Sequence, residues 1–173
     1  MQDTPPQVVN VTEAEAITRT VGDRFGASYK PLTPSMRPRG GKLGVIYMSV
    51  PPGRVAVPFH AHQREDEVFY ILSGRGVFRY GDTLREIRAG DCISCPAGTG
   101  IAHQLANPFD DDLTYLSIGP YDPDEVCTYP DSGKVFVRSL QRVGWLENVE
   151  YLAGEPEEPK IFALEIRADG DAE

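Results

Sequence analysis

The amino-acid sequence predicts an all-β fold, a sandwich or barrel of short antiparallel strands. Its 173 residues include 17 glycines and 15 prolines, more turn-forming residues than a helical protein usually carries. Between residues 42 and 118, short runs rich in Val, Ile, Leu, Tyr and Phe alternate with turn sequences such as Pro51-Pro52-Gly53. Runs that follow one another through turns, with no helical segment between them, favour antiparallel pairing.

The strands of the core can be placed in order along the chain. Each is a short apolar run, and most are separated by turn sequences that contain glycine, proline or aspartate, residues that supply the backbone conformations of tight turns. We predict eight core strands, at residues 42–50, 54–60, 67–72, 76–80, 84–87, 92–95, 102–106 and 113–118.

Both ends of the chain show weaker strand and helix patterns than the core. We expect an N-terminal extension (1–41), a barrel core (42–119) and a C-terminal extension (120–173) that packs on the barrel or on a partner subunit. The extensions are assigned short elements from their apolar spacing. These are helices at 13–18 and within 142–153, and strands at 134–138 and 161–166.

The charge of the chain limits its partners. Seventeen basic and 26 acidic residues give a net charge of −9, which argues against binding to a nucleic-acid backbone. Residues 19–42 nevertheless carry six basic residues and one acidic, whereas 146–173 carry nine acidic residues and two basic. The acidic segment is expected to be a solvated stretch of chain. The basic segment is either solvated as well or part of a site for an anionic ligand.

The sequence contains no apolar run long enough to cross a membrane, and its first ten residues show no pattern of a signal peptide. Its three cysteines do not form a disulfide framework. We therefore expect a cytoplasmic protein with reduced thiols. Cys92 and Cys95 fall three positions apart in one predicted strand, so they should point to opposite faces rather than form a redox pair or a zinc site. No role is assigned to Cys127.

Two of the three histidines form a His-x-His pair, His60 and His62. In a strand such a pair projects from one face, where two imidazoles can share a metal ion. Glu67 follows after a polar segment that can reverse the chain, and His103 begins a later strand. Three imidazoles and one carboxylate can fill four positions of an octahedron and leave two for water or substrate.

These residues resemble the two sequence motifs of the cupin superfamily. The first motif is represented by Gly53, His60-Ala61-His62, Glu67 and Gly74, with one residue more than usual before the histidines. The second is represented by Gly90, Pro96-Ala97-Gly98, His103 and Asn107, with two extra residues before the histidine. The strings PAGTGIAHQ and YPDSGKV are similar to those of small, single-domain, RmlC-like cupins labelled as sugar-phosphate isomerases.

The resemblance implies a cupin double-stranded β-helix, that is, a jelly-roll barrel with short N- and C-terminal extensions. It also implies one divalent metal ion, Fe, Mn, Ni, Co or Zn, bound by His60, His62, Glu67 and His103. Related small cupins commonly pair, and the apolar flanks of this chain also need cover, so we expect a homodimer.

Cupin folds support many reactions, so three functions remain open. The first is a sugar or sugar-phosphate isomerase or epimerase, in which the metal acts as a Lewis acid on a small polar molecule. The second is an Fe(II)-dependent dioxygenase, and the third is a non-catalytic module that binds a small-molecule ligand. The sequence does not identify the catalytic base, for which Glu65, Asp66 and Tyr70 are the candidates. The segment 63–66 is otherwise expected to be a solvated turn.

Overall fold

The computed structural model describes residues 7–164 and is almost entirely β-structure. Two short 3-10 turns, at Arg37–Arg39 and Lys160–Ala163, are the only helical elements in that range. The strands are β1 (Ile17–Val21), β2 (Phe25–Pro31), β3 (Leu43–Val50), β4 (Arg54–Val55), β5 (Ala61–His62), β6 (Glu67–Ser73), β7 (Arg75–Tyr80), β8 (Thr83–Arg88), β9 (Cys92–Cys95), β10 (His103–Asn107), β11 (Leu113–Pro120), β12 (Val126–Tyr129), β13 (Lys134–Val137) and β14 (Arg142–Trp145).

The strands form two sheets. The larger has the order β8-β7-β10-β4-β2-β3-β11-β6-β9, with β1 paired to β2, and every pairing in it is antiparallel except that of β2 with β4. The smaller has the order β14-β13-β12-β5. Segments on both sides of residues 42–119 thus contribute strands, β2 to the larger sheet and β12 to the smaller. No helix of residues 7–164 has the length and apolarity to cross a membrane.

Seven of the eight predicted core strands are confirmed, with shifts of one or two residues at their ends. The prediction of one strand over 54–60 is wrong, because strand pairing stops after Val55. Pro58 has no N–H to donate to a neighbouring strand, and at this point the chain leaves the larger sheet for the smaller. His60 makes only an isolated bridge to His103, with reciprocal backbone N–H···O hydrogen bonds of 3.1 and 2.7 Å.

In the flanking segments, the strand predicted at 134–138 is confirmed as β13, but both predicted helices are wrong. Residues 11–14 form a turn closed by the carbonyl oxygen of Asn10, and β1 follows. Within 142–153 the chain forms β14 and then continues without a helix. An amphipathic helix is stabilised mainly by packing of its apolar face. The apolar side chains Leu146, Val149 and Leu152 are exposed here, so a helix would lack that stabilisation.

The strand predicted at 161–166 is also wrong in its described part, where the 3-10 turn Lys160–Ala163 takes its place. Residues 165 and 166 lie outside the described residues. Pro159 fixes its own φ at the start of this segment, and no neighbouring strand is paired with it in residues 7–164.

The core lies against the concave part of the larger sheet. Val50, Ile71 and Leu113 are completely buried, and Phe69 packs edge-on against Tyr115 with ring centroids 5.6 Å apart. Gly74 is required where the chain turns from β6 into β7. Its φ is +77°, and a Cβ atom there would lie 2.2 Å from the backbone oxygen of Asp112.

Candidate metal centre

Four donor side chains converge where the two sheets meet. His62 comes from β5 of the smaller sheet, whereas Glu67 and His103 begin β6 and β10 of the larger one. His60 is held beside His103 by the backbone bridge described above. The structure thus brings together all four residues that the sequence proposed as metal ligands, with their donor atoms within 4.8 Å of one another.

The distances between the donor atoms suit a shared ion. Nε2 of His60 lies 3.1 Å from Nε2 of His62, and Nε2 of His103 lies 3.0 Å from Oε2 of Glu67. The same Glu67 oxygen is 3.5 Å from Nε2 of His62 and 3.9 Å from that of His60. Neighbouring ligands on an octahedral ion with bonds of about 2.1 Å are about 3 Å apart. The residues therefore fit a divalent metal ion, although metal binding itself stays a prediction.

His60 is oriented by its second ring nitrogen. Nδ1 lies 2.9 Å from the carbonyl oxygen of Pro58, which accepts a hydrogen bond when Nδ1 carries the proton and so leaves Nε2 free as a donor to metal. Burial, together with the nearby charges of His103 and His62, lowers the pKa of His60 from 6.5 to about 4. The ring is therefore neutral at neutral pH, the state that a metal ligand requires.

His62 is held from its outer side by Cys127 of β12 and by Glu125, which immediately precedes that strand. Its Nδ1 lies 3.4 Å from Oε1 of Glu125 and 3.4 Å from Sγ of Cys127, which faces His62 across the β12–β5 pairing. Burial opposes the charge of this ring, but hydrogen bonds with Cys127 and Glu67 outweigh it and raise the pKa of His62 to about 10. A carboxylate behind a ligating histidine is a common way to fix its tautomer and raise its basicity.

Glu125 is completely buried and makes specific backbone contacts. Its Oε1 accepts the N–H of Gln63 at 2.8 Å, and its Oε2 accepts the N–H of Arg64 at 3.0 Å. The carboxylate therefore fixes the start of the turn that leads from His62 to Glu67. Neither Glu125 nor Cys127 was proposed from the sequence, because both reach the site only through the pairing of β12 with β5.

Glu67 is held by Ser117 of β11, whose hydroxyl donates to Oε1 at 2.8 Å and leaves Oε2 for the cluster. Burial raises the pKa of this carboxyl, but hydrogen bonds from His103 and His62 outweigh that effect and lower it well below its usual range. Glu67 is therefore ionised over the physiological pH range. Ser117, like Glu125, could not be assigned from the motifs, since it lies ten residues beyond the second one.

The turn at 63–66 is only partly the solvated segment that the sequence predicted. Glu65 is buried and forms a bidentate ion pair with Arg138, whose Nη2 lies 2.9 Å from Oε2. The backbone N–H of Asp122 also donates to this carboxylate, at 2.5 Å. The hydrogen bond with Glu65 raises the pKa of Arg138, so the guanidinium group stays charged.

The other two candidates for a catalytic base are placed differently. Asp66 is exposed and lines the cavity next to the cluster, with Oδ1 accepting the N–H of Ala97 at 2.9 Å. Tyr70 lies further along β6, opposite Cys92 of β9, and is absent from the lining of that cavity.

The cavity leads from the cluster to solvent and has a volume of about 480 Å³. His62 and Glu67 line its inner part, and the two basic side chains Arg37 and Lys42 are exposed at its edge. The remaining lining comes from the end of β2 and the segment after it, from β3, from the turn at 63–66, and from the end of β11 and the residue after it. It includes Pro31, Thr33, Pro34, Pro38, Gly41, Leu43, Gly44, Val45, Ile46, Glu65, Asp66, Ser117, Gly119, Pro120 and Tyr121.

Cys92 and Cys95 behave as the strand assignment predicts. Cys92 is exposed, Cys95 is buried on the opposite face of β9, and neither is in a disulfide. Burial and the nearby charge of Glu67 raise the pKa of Cys95 to about 12. The pair therefore lacks the geometry of a redox or metal-binding dithiol.

Comparison with known proteins agrees with this geometry. Residues 46–119 match the family described as cupin domain. The oxalate-binding protein of Thermotoga maritima is 38% identical over 71 residues, which are 41% of this chain and 56% of that protein, so the match spans little more than half of its length.

Two solved structures extend the likeness beyond the family match. A sugar phosphate isomerase from a cupin superfamily, from Silicibacter pomeroyi, superimposes with a TM-score of 0.63 at 25% identity, over 75% of this chain and 85% of its own. A predicted oxalate decarboxylase from Thermotoga maritima superimposes with a TM-score of 0.56 at 27% identity, over 66% of this chain and 99% of its own. The jelly-roll barrel expected from the sequence is thus confirmed.

Proposed function

We propose that the protein is a metal-dependent isomerase or epimerase of a sugar or sugar phosphate, since residues 46–119 match the cupin domain family. The observation that carries the proposal is the cluster of three imidazole nitrogens and one carboxylate oxygen beside a cavity open to solvent. The likeness to the Silicibacter pomeroyi structure supports the choice of substrate class.

In this proposal His60, His62, Glu67 and His103 hold one divalent ion. The ion would supply Lewis-acid polarisation of a substrate carbonyl, which acidifies the neighbouring C–H bond. Imidazole and carboxylate donors suit Fe, Mn, Ni, Co and Zn alike. The protein contributes the orientation of the ligands, through Pro58, Glu125 and Ser117, and a cavity wall that excludes bulk water from one side of the substrate.

Asp66 is the best-placed group to move the proton. Of the two acidic candidates, Glu65 already accepts hydrogen bonds from Arg138 and from the backbone of Asp122. Asp66 lines the same cavity and accepts one backbone hydrogen bond through Oδ1, so Oδ2 is available to the substrate. A carboxylate within hydrogen-bond reach of the acidified C–H can take its proton. Return to the opposite face of the same carbon gives epimerisation. Return to the former carbonyl carbon, with the proton of the neighbouring hydroxyl moving to the carbonyl oxygen, gives isomerisation.

Hydrogen–deuterium exchange at the substrate carbon tests the proposal whichever product is formed. The metal-loaded protein is incubated in D₂O with a panel of aldose and ketose phosphates, and exchange is followed by NMR. We expect deuterium incorporation next to the carbonyl of at least one substrate, and none with the His60→Ala/His62→Ala variant. Asp66→Asn should slow exchange by about 100-fold or more while leaving metal content unchanged.

Two other outcomes would replace this function. Oxygen consumption with the iron-loaded protein, in the absence of deuterium exchange, would identify a dioxygenase. Tight binding of a small molecule without turnover of any kind would identify a binding module.

The binding module is favoured by one specific observation, the 38% identity over 71 residues to a protein that is named for binding oxalate. In this second proposal the same four residues hold a metal ion that a small dicarboxylate chelates. Calorimetric titration of the metal-loaded protein with oxalate tests it. Binding in the micromolar range without decarboxylation would support the module, and the absence of binding would exclude it.

A further inference from the structure

Two basic side chains at the edge of the cavity have no carboxylate partner among residues 7–164. Arg37 and Lys42 both line the cavity and are exposed, and neither takes part in an ion pair of the described chain. We propose that they bind an oxyanion, a phosphoryl or carboxylate group, at one end of the molecule whose other end reaches the cluster. The inference rests on the proposed function, since it extends the same substrate site.

Tyr121 sets the position of both residues. The guanidinium carbon of Arg37 lies 3.6 Å from the centroid of the Tyr121 ring, and the backbone N–H of Tyr121 donates to the carbonyl oxygen of Lys42 at 2.7 Å. Stacking uses the face of the guanidinium group and leaves the N–H donors in its plane free for a planar or tetrahedral oxyanion. Arg37 is therefore held in place and still able to bind.

None of the acidic residues of the lining forms an ion pair with these two cations in the part of the chain that the structure describes. Glu65 pairs with Arg138, Asp66 accepts the N–H of Ala97, and Glu67 accepts from His103 and Ser117. With His62 neutral, as a metal ligand must be, three cations (Arg37, Lys42 and Arg138) match the three carboxylates around the cavity. A bound divalent ion would make the site positive overall and favour an anionic ligand.

The size of the cavity favours a ligand longer than a two-carbon acid. A volume of about 480 Å³ lies in the range of sites for ligands of many atoms. A ligand that reaches both the cluster and the basic edge would have hydroxyl or carbonyl oxygens at one end and the charged group at the other. Phosphorylated sugars and sugar acids have this construction.

The test measures binding of inorganic phosphate and, separately, oxalate to the full-length protein by calorimetry. Wild type is compared with Arg37→Gln and Lys42→Gln, and Arg39→Gln is the matched control, because Arg39 belongs to the same exposed 3-10 turn but does not line the cavity. Metal content and melting temperature are recorded for each protein. We expect Arg37→Gln to weaken binding of at least one anion about tenfold or more, with Arg39→Gln unchanged.

The two anions distinguish the chemical source. If the variants lose only phosphate binding, the site is assigned to a phosphoryl group. If they lose only oxalate binding, it is assigned to a carboxylate. If they lose both, the site accepts either group. Wild-type affinity in Arg37→Gln and Lys42→Gln, or no anion binding by wild type, would overturn the inference. A wild-type protein that binds phosphate through Arg37 but takes up no metal would refute the proposed function and leave the anion site standing.

Discussion

His62 faces the ligand cluster with Nε2 and faces Glu125 with Nδ1, which lies 3.4 Å from Oε1 of that carboxylate. The two residues are 63 positions apart, and the second is completely buried. A carboxylate in this position stabilises one tautomer of the histidine and the orientation of its ring.

Replacing Glu125 should therefore weaken metal binding. We expect Glu125→Gln to reduce affinity for a divalent ion about 10- to 100-fold, because the amide loses the charge that supports His62. Competition with a chromogenic chelator measures the change. Ser117→Ala is the comparison, since Ser117 supports Glu67 by a single neutral hydroxyl and should have a smaller effect. Unchanged affinity in Glu125→Gln would show that this carboxylate serves only the backbone of Gln63 and Arg64.

Metal binding should release a proton from His62. The pKa of this histidine is raised to about 10 in the metal-free protein, so the ring is protonated at about pH 8, and a ligating nitrogen must be unprotonated. His60, with its pKa lowered to about 4, is already neutral and releases none. Calorimetry in buffers of different ionisation enthalpy should give about one proton per ion. Release of none would show that His62 is neutral before the ion arrives.

Breaking the ion pair between the buried Glu65 and the partly buried Arg138 should destabilise the protein. Removal of one partner leaves the other without its counter-charge away from solvent, so Glu65→Ala or Arg138→Ala should each lower the free energy of unfolding by about 3 kcal/mol. The double variant should lose less than the sum of the two, because no unpaired charge is left. Urea denaturation of the four proteins measures this coupling. Strict additivity would mean that the two side chains act independently.

The three thiols should differ in reactivity. Cys92 is exposed, whereas Cys95 and Cys127 are buried, and burial raises the pKa of Cys95 to about 12. A chromogenic disulfide reagent should therefore modify one thiol in the folded protein and three after denaturation. Cys92→Ser should abolish the fast reaction. Fast modification of a second thiol would contradict the burial of Cys95 and Cys127.

We expect the protein to form a homodimer through its C-terminal segment. Trp145, Tyr151 and Phe162 are 76, 95 and 74% exposed, and burial of such side chains stabilises an interface by roughly 25 cal/mol per Å². Sedimentation at micromolar concentration should give about 38 kDa, twice the 19.1 kDa of one chain. Truncation after Trp145 should shift the mass toward the monomer. A full-length species near 19 kDa would refute the dimer.

The sequence predicted which four side chains lie together, because motif spacing is local. His60, His62 and Glu67 lie within eight residues, and the glycine turns around them leave the chain few alternatives. The residues behind His62 could not be predicted, because Glu125 and Cys127 reach the site through the pairing of distant strands. The strand predicted over 54–60 failed for a related reason, since apolar spacing does not reveal where a chain passes from one sheet to another.

The position of the four ligands at the meeting of the two sheets has a mechanical consequence. An ion bound there would link chain segments up to 43 positions apart, His60 to His103, and would stabilise the folded state because only that state brings the four ligands together. Metal occupancy would then set the rigidity of the barrel. The metal-free protein would unfold locally most easily, and the metal-loaded protein, which is the active form in the proposed function, would be the most rigid.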